Sequence, residues 1–245
     1  MTARPVLGVI CCTRLICGEL AQSVMERYLR AAMTHADCAA LLVPSLPDLI
    51  SVAEIASRLD GILLTGSPSN VDSARYGDSG GDGPFDAARD ETAIALVDAM
   101  IARRRPVFGV CRGFQEINVA LGGTLRRDTS QSADLLAHHA PEDIAFDAMF
   151  DHLHSVKLTD GGLLARAYGK GSLTVNSVHY QGVGTLAPGL AIEATAEDGL
   201  VEGYSADIAG ACVVAVQWHP EWKTDSNTDS QIFFRLLGRA LRDAA

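Results

Sequence analysis

"VFGVCRGFQEIN", residues 107–118, contains the pattern on which the fold prediction rests. A short apolar run leads into Gly109, Cys111 and Gly113, and a segment of helical character follows directly. A strand that turns sharply through Gly-x-Cys-x-Gly into a helix has the geometry of a nucleophile elbow, with cysteine at the reactive position. The two glycines allow a tight turn and a strained backbone at the cysteine. The stretch predicts a nucleophilic thiol, with a buried structural cysteine as the alternative.

The predicted helix after Cys111 favours the nucleophile. A helix N-terminus stabilises a thiolate relative to a thiol, and the backbone N–H of Arg112 would point towards the oxyanion that forms during acyl transfer. A thiolate nucleophile also needs a base that later protonates the leaving group.

The sequence CVVAVQWHPEW, residues 212–222, offers that base. A strand rich in β-branched residues ends at His219, and Glu221 follows after Pro220. A carboxylate at that spacing can hold the imidazole in one tautomer and stabilise its charged form, and the proline restricts where Glu221 can point. Since the remaining histidines have no comparable local pattern, Cys111, His219 and Glu221 are predicted to form a catalytic triad.

Strand-like and helix-like segments alternate through the first half of the chain, which predicts an α/β fold with a doubly wound, mostly parallel sheet flanked by helices. Additional short strands are predicted in the second half, before a last amphipathic helix at about 229–241. With no repeat and no low-complexity linker, we expect a single domain spanning residues 1–245. The predicted strands are 6–12, 39–46, 61–66, 106–111, 154–159, 172–179, 190–197, 200–206 and 212–219, and the other predicted helices are 18–36, 49–59, 84–105 and 114–123.

The composition describes a chain with enough apolar residues for a core and a strongly acidic balance. Of 245 residues, 48% are hydrophobic and 20% charged, and the formal net charge is −10. This balance argues against partners such as nucleic acid or an anionic membrane. There is no apolar stretch of about 18 residues that predicts a membrane span, and the N-terminal apolar run is too short for a signal peptide. The six cysteines match no zinc-binding spacing, which favours free thiols in the cytoplasm.

Five stretches together resemble the class I glutamine amidotransferase family, and within it the stand-alone hydrolases of the γ-glutamyl-γ-aminobutyrate hydrolase group. The stretches are GILLTGSPSNVDSARYG (61–77), FDAARDETAIALV (85–97), GVCRGFQEINVALGGTL (109–125), VNSVHYQGV (175–183) and QWHPEW (217–222). Arg112 after the cysteine and the NSVHYQ segment point to the hydrolase branch. The resemblance implies a flavodoxin-like sheet of the amidotransferase type.

The resemblance also implies roles for individual residues. Cys111 would be the nucleophile, His219 the general base and acid, and Glu221 the residue that orients it. The backbone N–H of Arg112 and an N–H at Gly66 or Ser67 would form the oxyanion hole. The residues expected near the substrate are Gln115, Asn176, Ser177, His179 and Gln181.

Three further expectations concern charged residues. Arg112 or Arg75 would bind an acidic leaving group. Arg89 and Asp90 would form an intramolecular ion pair or contacts on a helix surface. The segment 126–152 contains histidines and acids, but because their spacing is irregular and the expected chemistry needs no metal, we expect no metal site and no cofactor.

The expected reaction is hydrolysis of a small-molecule γ-glutamyl amide through a γ-glutamyl thioester. The resemblance favours γ-glutamyl-γ-aminobutyrate as substrate and a place in putrescine catabolism, and a homodimer is left open. Two alternatives stay open at this point. One is a glutaminase subunit that passes ammonia to a separate synthase, and the other is a non-catalytic binding member of the family.

Overall fold

The computed structural model describes residues 3–81, 83–131, 135–141 and 143–244. The strands are β1 (Val6–Ile10), β2 (Cys12–Ile16), β3 (Glu19–Ser23), β4 (Ala39–Val43), β5 (Gly61–Leu64), β6 (Val107–Val110), β7 (Thr124–Arg126), β8 (Leu153–Leu158), β9 (Ser172–Asn176), β10 (Gly182–Thr185), β11 (Ala191–Ala196), β12 (Val201–Ile208) and β13 (Ala211–Val216). The helices are α1 (Glu26–Ala31), α2 (Val52–Ala56), α3 (Ala87–Ala102), α4 (Arg112–Ala120), α5 (Phe146–Met149), α6 (Leu163–Tyr168) and α7 (Thr228–Asp243). Within these ranges, no helix combines the length and the apolar character that crossing a membrane requires.

Nine of the described strands form one sheet, in the order β4-β1-β5-β6-β13-β12-β11-β8-β9. The five strands from β4 to β13 are mutually parallel. The four that follow, from β12 to β9, are added in antiparallel fashion. In the parallel half the first strand lies between the second and the third, which is the flavodoxin-like order. The predicted doubly wound sheet, with additional strands from the second half of the chain, is confirmed.

The parallel strands are buried on both faces because helices cover both. Side chains alternate along each strand, so that in β13 Val213 packs towards α2, α3 and α4, while Val214 packs towards α1 and α7. In β6, Val107 and Phe108 divide in the same way. The near-continuous apolar runs that predicted these strands follow from this two-sided burial.

Residues 18–36 do not form the single predicted helix. Their first part is β3, which pairs with β2 as a hairpin, and α1 begins only at Glu26. The hairpin turn lies at Cys17 and Gly18, with φ of 52° and 86°. Two consecutive positive φ values produce a tight turn that matches the twist of the strands. The predicted helix begins at Gly18, inside this turn, so the prediction misses both the turn and β3.

Candidate active site

Three neighbouring parallel strands, β5, β6 and β13, end at the same edge of the sheet. Thr65 to Ser67 follow β5, Cys111 follows β6, and the segment with His219 follows β13. In open α/β sheets, ligands bind at the carboxyl ends of the strands. The fold therefore brings the three predicted parts of the site to one place, although they are far apart in sequence.

The turn at Cys111 has the strained backbone that the elbow prediction requires. Its φ is 52° and its ψ is −104°, a region that costs a non-glycine residue on the order of 1–3 kcal/mol. The Cys111 N–H donates to the carbonyl of Val216 at 2.9 Å, which fixes the elbow to β13. A Cβ on Gly113 would lie 2.1 Å from the carbonyl oxygen of Leu64. Only glycine therefore permits the first turn of α4 to pack this closely on β5.

His219 lies beside the thiol in a fixed orientation. Its Nδ1 lies 2.8 Å from Oε1 of Glu221, which accepts a hydrogen bond from it, and the ring lines the same cavity as Cys111. The side chain of Asn176 holds the His219 backbone at both ends, since its Oδ1 accepts the N–H at 2.7 Å and its Nδ2 donates to the carbonyl at 3.1 Å. With Nδ1 engaged by the carboxylate, Nε2 is the nitrogen left for the thiol.

The charges at this position favour an imidazolium. Burial alone would lower the pKa of His219, but the carboxylate of Glu221 and the Cys111 side chain outweigh it and raise that pKa to about 10. Burial likewise opposes ionisation of Glu221, but His219 and then Arg27 bring the pKa of that carboxyl below its usual value. The site can therefore hold an imidazolium next to an ionised carboxylate.

Two neighbouring residues that the sequence did not single out, Arg27 and Tyr28, contact this group. The Tyr28 hydroxyl accepts the N–H of Gly66 at 3.0 Å and lies 3.4 Å from Nδ1 of His219. Arg27 donates to Oε1 of Glu221 at 3.2 Å, and its guanidinium lies within 6 Å of the rings of Tyr28, Phe146, Phe150 and Trp222. Both residues lie in the segment 18–36, which the sequence predicts as a helix without a role at the site, so only the fold shows their contact with it.

The Gly66 loop is held by a buried ion network formed by Arg89, Asp90, Arg112 and Glu116. Arg89 binds both carboxylate oxygens of Glu116 at 3.0 and 2.8 Å and also donates to the carbonyl of Thr65. Arg112 binds Asp90 at 2.6 Å and pairs with Glu116 as well. The network therefore ties the residue before Gly66 to the elbow helix α4.

Two expectations about these charged residues change. The ion pairs predicted for Arg89 and Asp90 exist, but each residue pairs with α4 and is buried, so the alternative of helix-surface contacts is wrong. The Arg112 side chain is 1% exposed and bound by two carboxylates, so it is not available to bind an acidic leaving group. Its backbone N–H, at the first position of α4, has no preceding carbonyl within the helix to bind.

The five residues expected near the substrate bind other parts of the protein. Gln115 donates to the carbonyl of Gln181 and to the side chain of Gln217 at 2.7 and 3.0 Å. Gln181 binds both the N–H and the carbonyl of Val71. Asn176 forms hydrogen bonds with the backbone of His219. Ser177 donates a hydrogen bond to the carbonyl of His138, and His179 bonds to the carbonyl of Gln181. Among the described residues, none of the five lines the cavity at Cys111, because their polar groups bind other parts of the protein.

The cavity at Cys111 has a volume of about 230 Å³. Two arginines contribute to it, the half-buried Arg14 on β2 and Arg27. Arg75 is exposed on the turn at 73–76 and is not among the described residues that line this cavity. The lining residues are Arg14, Met25, Arg27, Tyr28, Gly66, Ser67, Pro68, Cys111, His139, Phe146, Met149, Phe150, Val178 and His219.

Solved structures share this architecture. A glutamine amidotransferase from Thermotoga maritima superimposes with a TM-score of 0.64 at 13% identity, covering 97% of this chain and 98% of that one. A glutamine amidotransferase from Methylobacillus flagellatus superimposes with a TM-score of 0.60 at 18% identity, covering 91% of this chain and 73% of that one. The fold is that of the class I glutamine amidotransferases.

Sequence relatives define the family within that fold. Over 232 residues the chain is 37% identical to the γ-glutamyl-γ-aminobutyrate hydrolase PuuD of Escherichia coli (strain K12), covering 94% of this chain and 91% of that protein. The γ-glutamyl-γ-aminobutyrate hydrolase of Shigella flexneri is also 37% identical over the same shares. The model of the peptidase C26 family matches residues 5–221. The chain belongs to the peptidase C26 family.

Proposed function

We propose that this protein is a cysteine hydrolase that cleaves γ-glutamyl amides of small molecules, with γ-glutamyl-γ-aminobutyrate as the first candidate substrate. The observation that supports it most is that Cys111 and His219 line one cavity, with the thiol on a strained elbow and Glu221 bound to the imidazole. The relatives named for this reaction align over nearly the whole chain, which supports the same substrate class.

In the proposed reaction, the Cys111 thiolate attacks the γ-carbonyl carbon of the glutamyl group, and the carbonyl π electrons move to the oxygen. Collapse of this tetrahedral intermediate breaks the C–N bond, and the His219 imidazolium gives its proton to the departing amine. A γ-glutamyl thioester remains. Water then attacks the thioester while neutral His219 takes its proton, and glutamate leaves as the thiolate and imidazolium are restored.

The oxyanion is stabilised in this proposal by the N–H groups of Arg112 and Ser67. The Gly66 N–H is already bound by the Tyr28 hydroxyl, so Ser67 is the remaining donor of the two that the sequence suggested. Preorganised backbone donors of this kind are worth about 2.7–4 kcal/mol of transition-state stabilisation each.

Arg14 is proposed to bind the carboxylate of the leaving amine. Arg27 is bound to Glu221 and packs against aromatic rings, and Arg75 is not among the described residues that line the cavity. Arg14, in contrast, is half-buried on the cavity wall. A guanidinium at that position would favour acidic leaving groups over neutral or cationic ones. Arg14→Ala should therefore raise KM for γ-glutamyl-γ-aminobutyrate about tenfold, while Arg75→Ala should leave it unchanged.

A substrate panel tests the proposal. Glutamate release is measured with γ-glutamyl-γ-aminobutyrate, γ-glutamyl-putrescine, glutamine and a polyglutamylated folate, using Cys111→Ala as the blank. Fast cleavage of the first substrate by the purified chain supports the hydrolase. Cleavage of glutamine alone, or no cleavage of any substrate above the Cys111→Ala blank, refutes it. A thioester trapped on Cys111 and detected by mass spectrometry tests the mechanism separately.

A further inference from the structure

A second group of chemically reactive side chains lies at the same edge of the sheet as the cavity. We call His138, His154, His179 and Glu202 the histidine cluster. His154 lies on β8, His179 follows β9, and Glu202 lies on β12. The backbone carbonyl of Glu202 accepts the N–H of Gln217 at 2.8 Å. The His138, His179 and Glu202 side chains are at most 2% exposed, and that of His154 is 9% exposed.

Hydrogen bonds set which nitrogen of two of these rings carries the proton. Nε2 of His138 lies 2.7 Å from the Asp198 carboxylate, which accepts a hydrogen bond from that nitrogen. Nδ1 of His179 lies 3.0 Å from the carbonyl oxygen of Gln181, which can only accept. In the neutral rings, Nδ1 of His138 and Nε2 of His179 therefore carry no proton, and each has a free lone pair.

Both lone pairs point at a carboxylate. Oε1 of Glu202 lies 3.6 Å from Nδ1 of His138 and 3.4 Å from Nε2 of His179, and Oε2 lies 3.8 Å from Nε2 of His154. These separations exceed the 2.7–3.2 Å of N–H···O hydrogen bonds. These three separations to Glu202 approach the distance of about 3.3–3.4 Å between neighbouring ligands of a tetrahedral ion with bonds of about 2.0–2.1 Å. The ligand atoms of His138, His154 and Glu202 all lie within 4.8 Å of one another.

The ligand atoms of the cluster have no hydrogen-bond partner among the residues that the structure describes. A buried polar atom that stays unsatisfied destabilises the folded protein. Lone pairs that face each other need a positive charge between them, because they repel otherwise. The atoms concerned are Nδ1 of His138, both ring nitrogens of His154, Nε2 of His179, and both carboxylate oxygens of Glu202.

We propose that the histidine cluster binds one divalent transition-metal ion, with zinc the ion that its ligands favour. Imidazole nitrogens with one carboxylate oxygen suit zinc, whereas magnesium and calcium prefer oxygen ligands alone. Asp198 and the carbonyl of Gln181 orient the rings of His138 and His179 as outer partners of metal-bound histidines commonly do. The expectation of no metal site arose because the ligands come from four separate segments, so that no spacing in the sequence reveals them.

The ion would stabilise one wall of the cavity without taking part in the reaction. His139 and Val178, which line the cavity, are the immediate chain neighbours of His138 and His179. His179, with Nε2 at 3.4 Å from Oε1 of Glu202, would be the fourth ligand beside His138, His154 and Glu202. Four protein ligands would make a closed site with no open position for substrate, as in structural zinc sites. Metal binding should therefore raise the thermal stability of the protein.

The test uses the full chain with Cys111→Ala, which removes the nucleophilic thiol as a competing zinc ligand. Protein purified without chelator should contain about one zinc per chain by mass spectrometry of the metal. After removal of the metal with dipicolinate, titration with Zn²⁺ against a chromogenic chelator should give a sub-micromolar Kd. Added Zn²⁺ should also raise Tm by several degrees.

Variants locate the site. Glu202→Gln and His154→Gln, in the same background, should each weaken Zn²⁺ binding at least 100-fold. His152→Gln is the matched control, because His152 bonds to the carbonyl of Ala137 and lies outside the cluster. Its affinity should equal that of the parent. Unchanged affinity in both cluster variants would overturn the proposal. A parent Kd weaker than about 10 μM would also overturn it and would indicate a proton on Glu202 in place of the metal ion.

Cobalt gives a reading that does not depend on whether the variants fold. Co²⁺ added to the metal-free Cys111→Ala protein should produce the visible absorption of a tetrahedral ion, without a thiolate-to-cobalt charge-transfer band. A thiolate band would place the ion on one of the remaining cysteines, and a spectrum identical to aqueous Co²⁺ would mean that no site exists. Either result overturns the proposal.

Discussion

Gly66→Ala places one methyl group at the centre of the site and should reduce activity with little effect on stability. An added Cβ would lie 2.5 Å from the Tyr28 hydroxyl, 2.9 Å from Cε1 of His219 and 3.5 Å from Cβ of Cys111. The last is an ordinary contact, but the first two are not. Tyr28 and His219 are both buried, so the methyl group must displace both the imidazole and the phenol rather than an exposed side chain.

The size of the effect follows from that displacement. Ordinary contacts begin at 3.4 Å, so the His219 ring must move by about half an ångström or more relative to the thiol. Misplacement of a reacting group by about 1 Å costs on the order of 100-fold in rate. We therefore expect kcat/KM to fall about 30- to 100-fold, which equals about 2–3 kcal/mol. Since alanine fits the backbone at this position, Tm should stay within a few degrees of the parent.

The assay is kcat/KM on the best substrate of the panel, together with Tm and the pH dependence of Cys111 alkylation by iodoacetamide. A matched control is Gly171→Ala, where an added Cβ meets nothing within 4 Å, and its activity should equal that of the parent. If Gly66→Ala retained kcat/KM within threefold of the parent, the tight packing around His219 would be irrelevant to catalysis. A variant that failed to fold would also contradict the reasoning.

Two further changes separate charge from packing. Glu221→Gln removes the carboxylate that raises the pKa of His219, so the imidazolium should lose its proton at lower pH. The alkaline limb of the kcat/KM profile should therefore move towards neutral pH. An alkaline limb that did not move would exclude His219 as its source. Arg112→Leu leaves the buried carboxylates of Asp90 and Glu116 short of a partner and should lower the free energy of unfolding by about 3–5 kcal/mol in urea titrations.

A control exists for the arginine variant. Arg75→Leu removes an exposed arginine from the turn at 73–76 and should change the free energy of unfolding by less than about 0.5 kcal/mol. If Arg112→Leu were as mild as Arg75→Leu, the buried ion network would not stabilise the fold.

The parts of the site that the sequence predicted are those in which a local pattern implies a local geometry. Gly-x-Cys-x-Gly predicted a strained turn because few other residues fit one, and the structure places Cys111 at positive φ. A strand end with His-x-Glu predicted that His219 and Glu221 would be adjacent, and they are. Both inferences needed only the residues within a few positions of the motif.

The missed parts depend on contacts between distant segments. Tyr28 looks apolar on a helical face, and its contact with Gly66 exists only because α1 packs against the end of β5. The histidine cluster joins the 135–141 segment to three strands or strand ends. Its rings contact each other only in the folded chain, where His138 lies against His154 and His179.

The contacts around the Gly66 loop indicate how this fold separates stability from catalysis. On one side the buried ion network fixes Thr65 to α4 through Arg89, and on the other the Tyr28 hydroxyl holds the Gly66 N–H. The network involves charges that are costly to leave unpaired, so its loss should lower stability and activity together. The Tyr28 contact is one neutral hydrogen bond, worth about 0.5–1.5 kcal/mol. Removal of this bond by Tyr28→Phe should therefore lower kcat/KM by a factor that, as a free energy, exceeds the loss in the free energy of unfolding. If the two free-energy losses were equal, Tyr28 would contribute only to packing of the core.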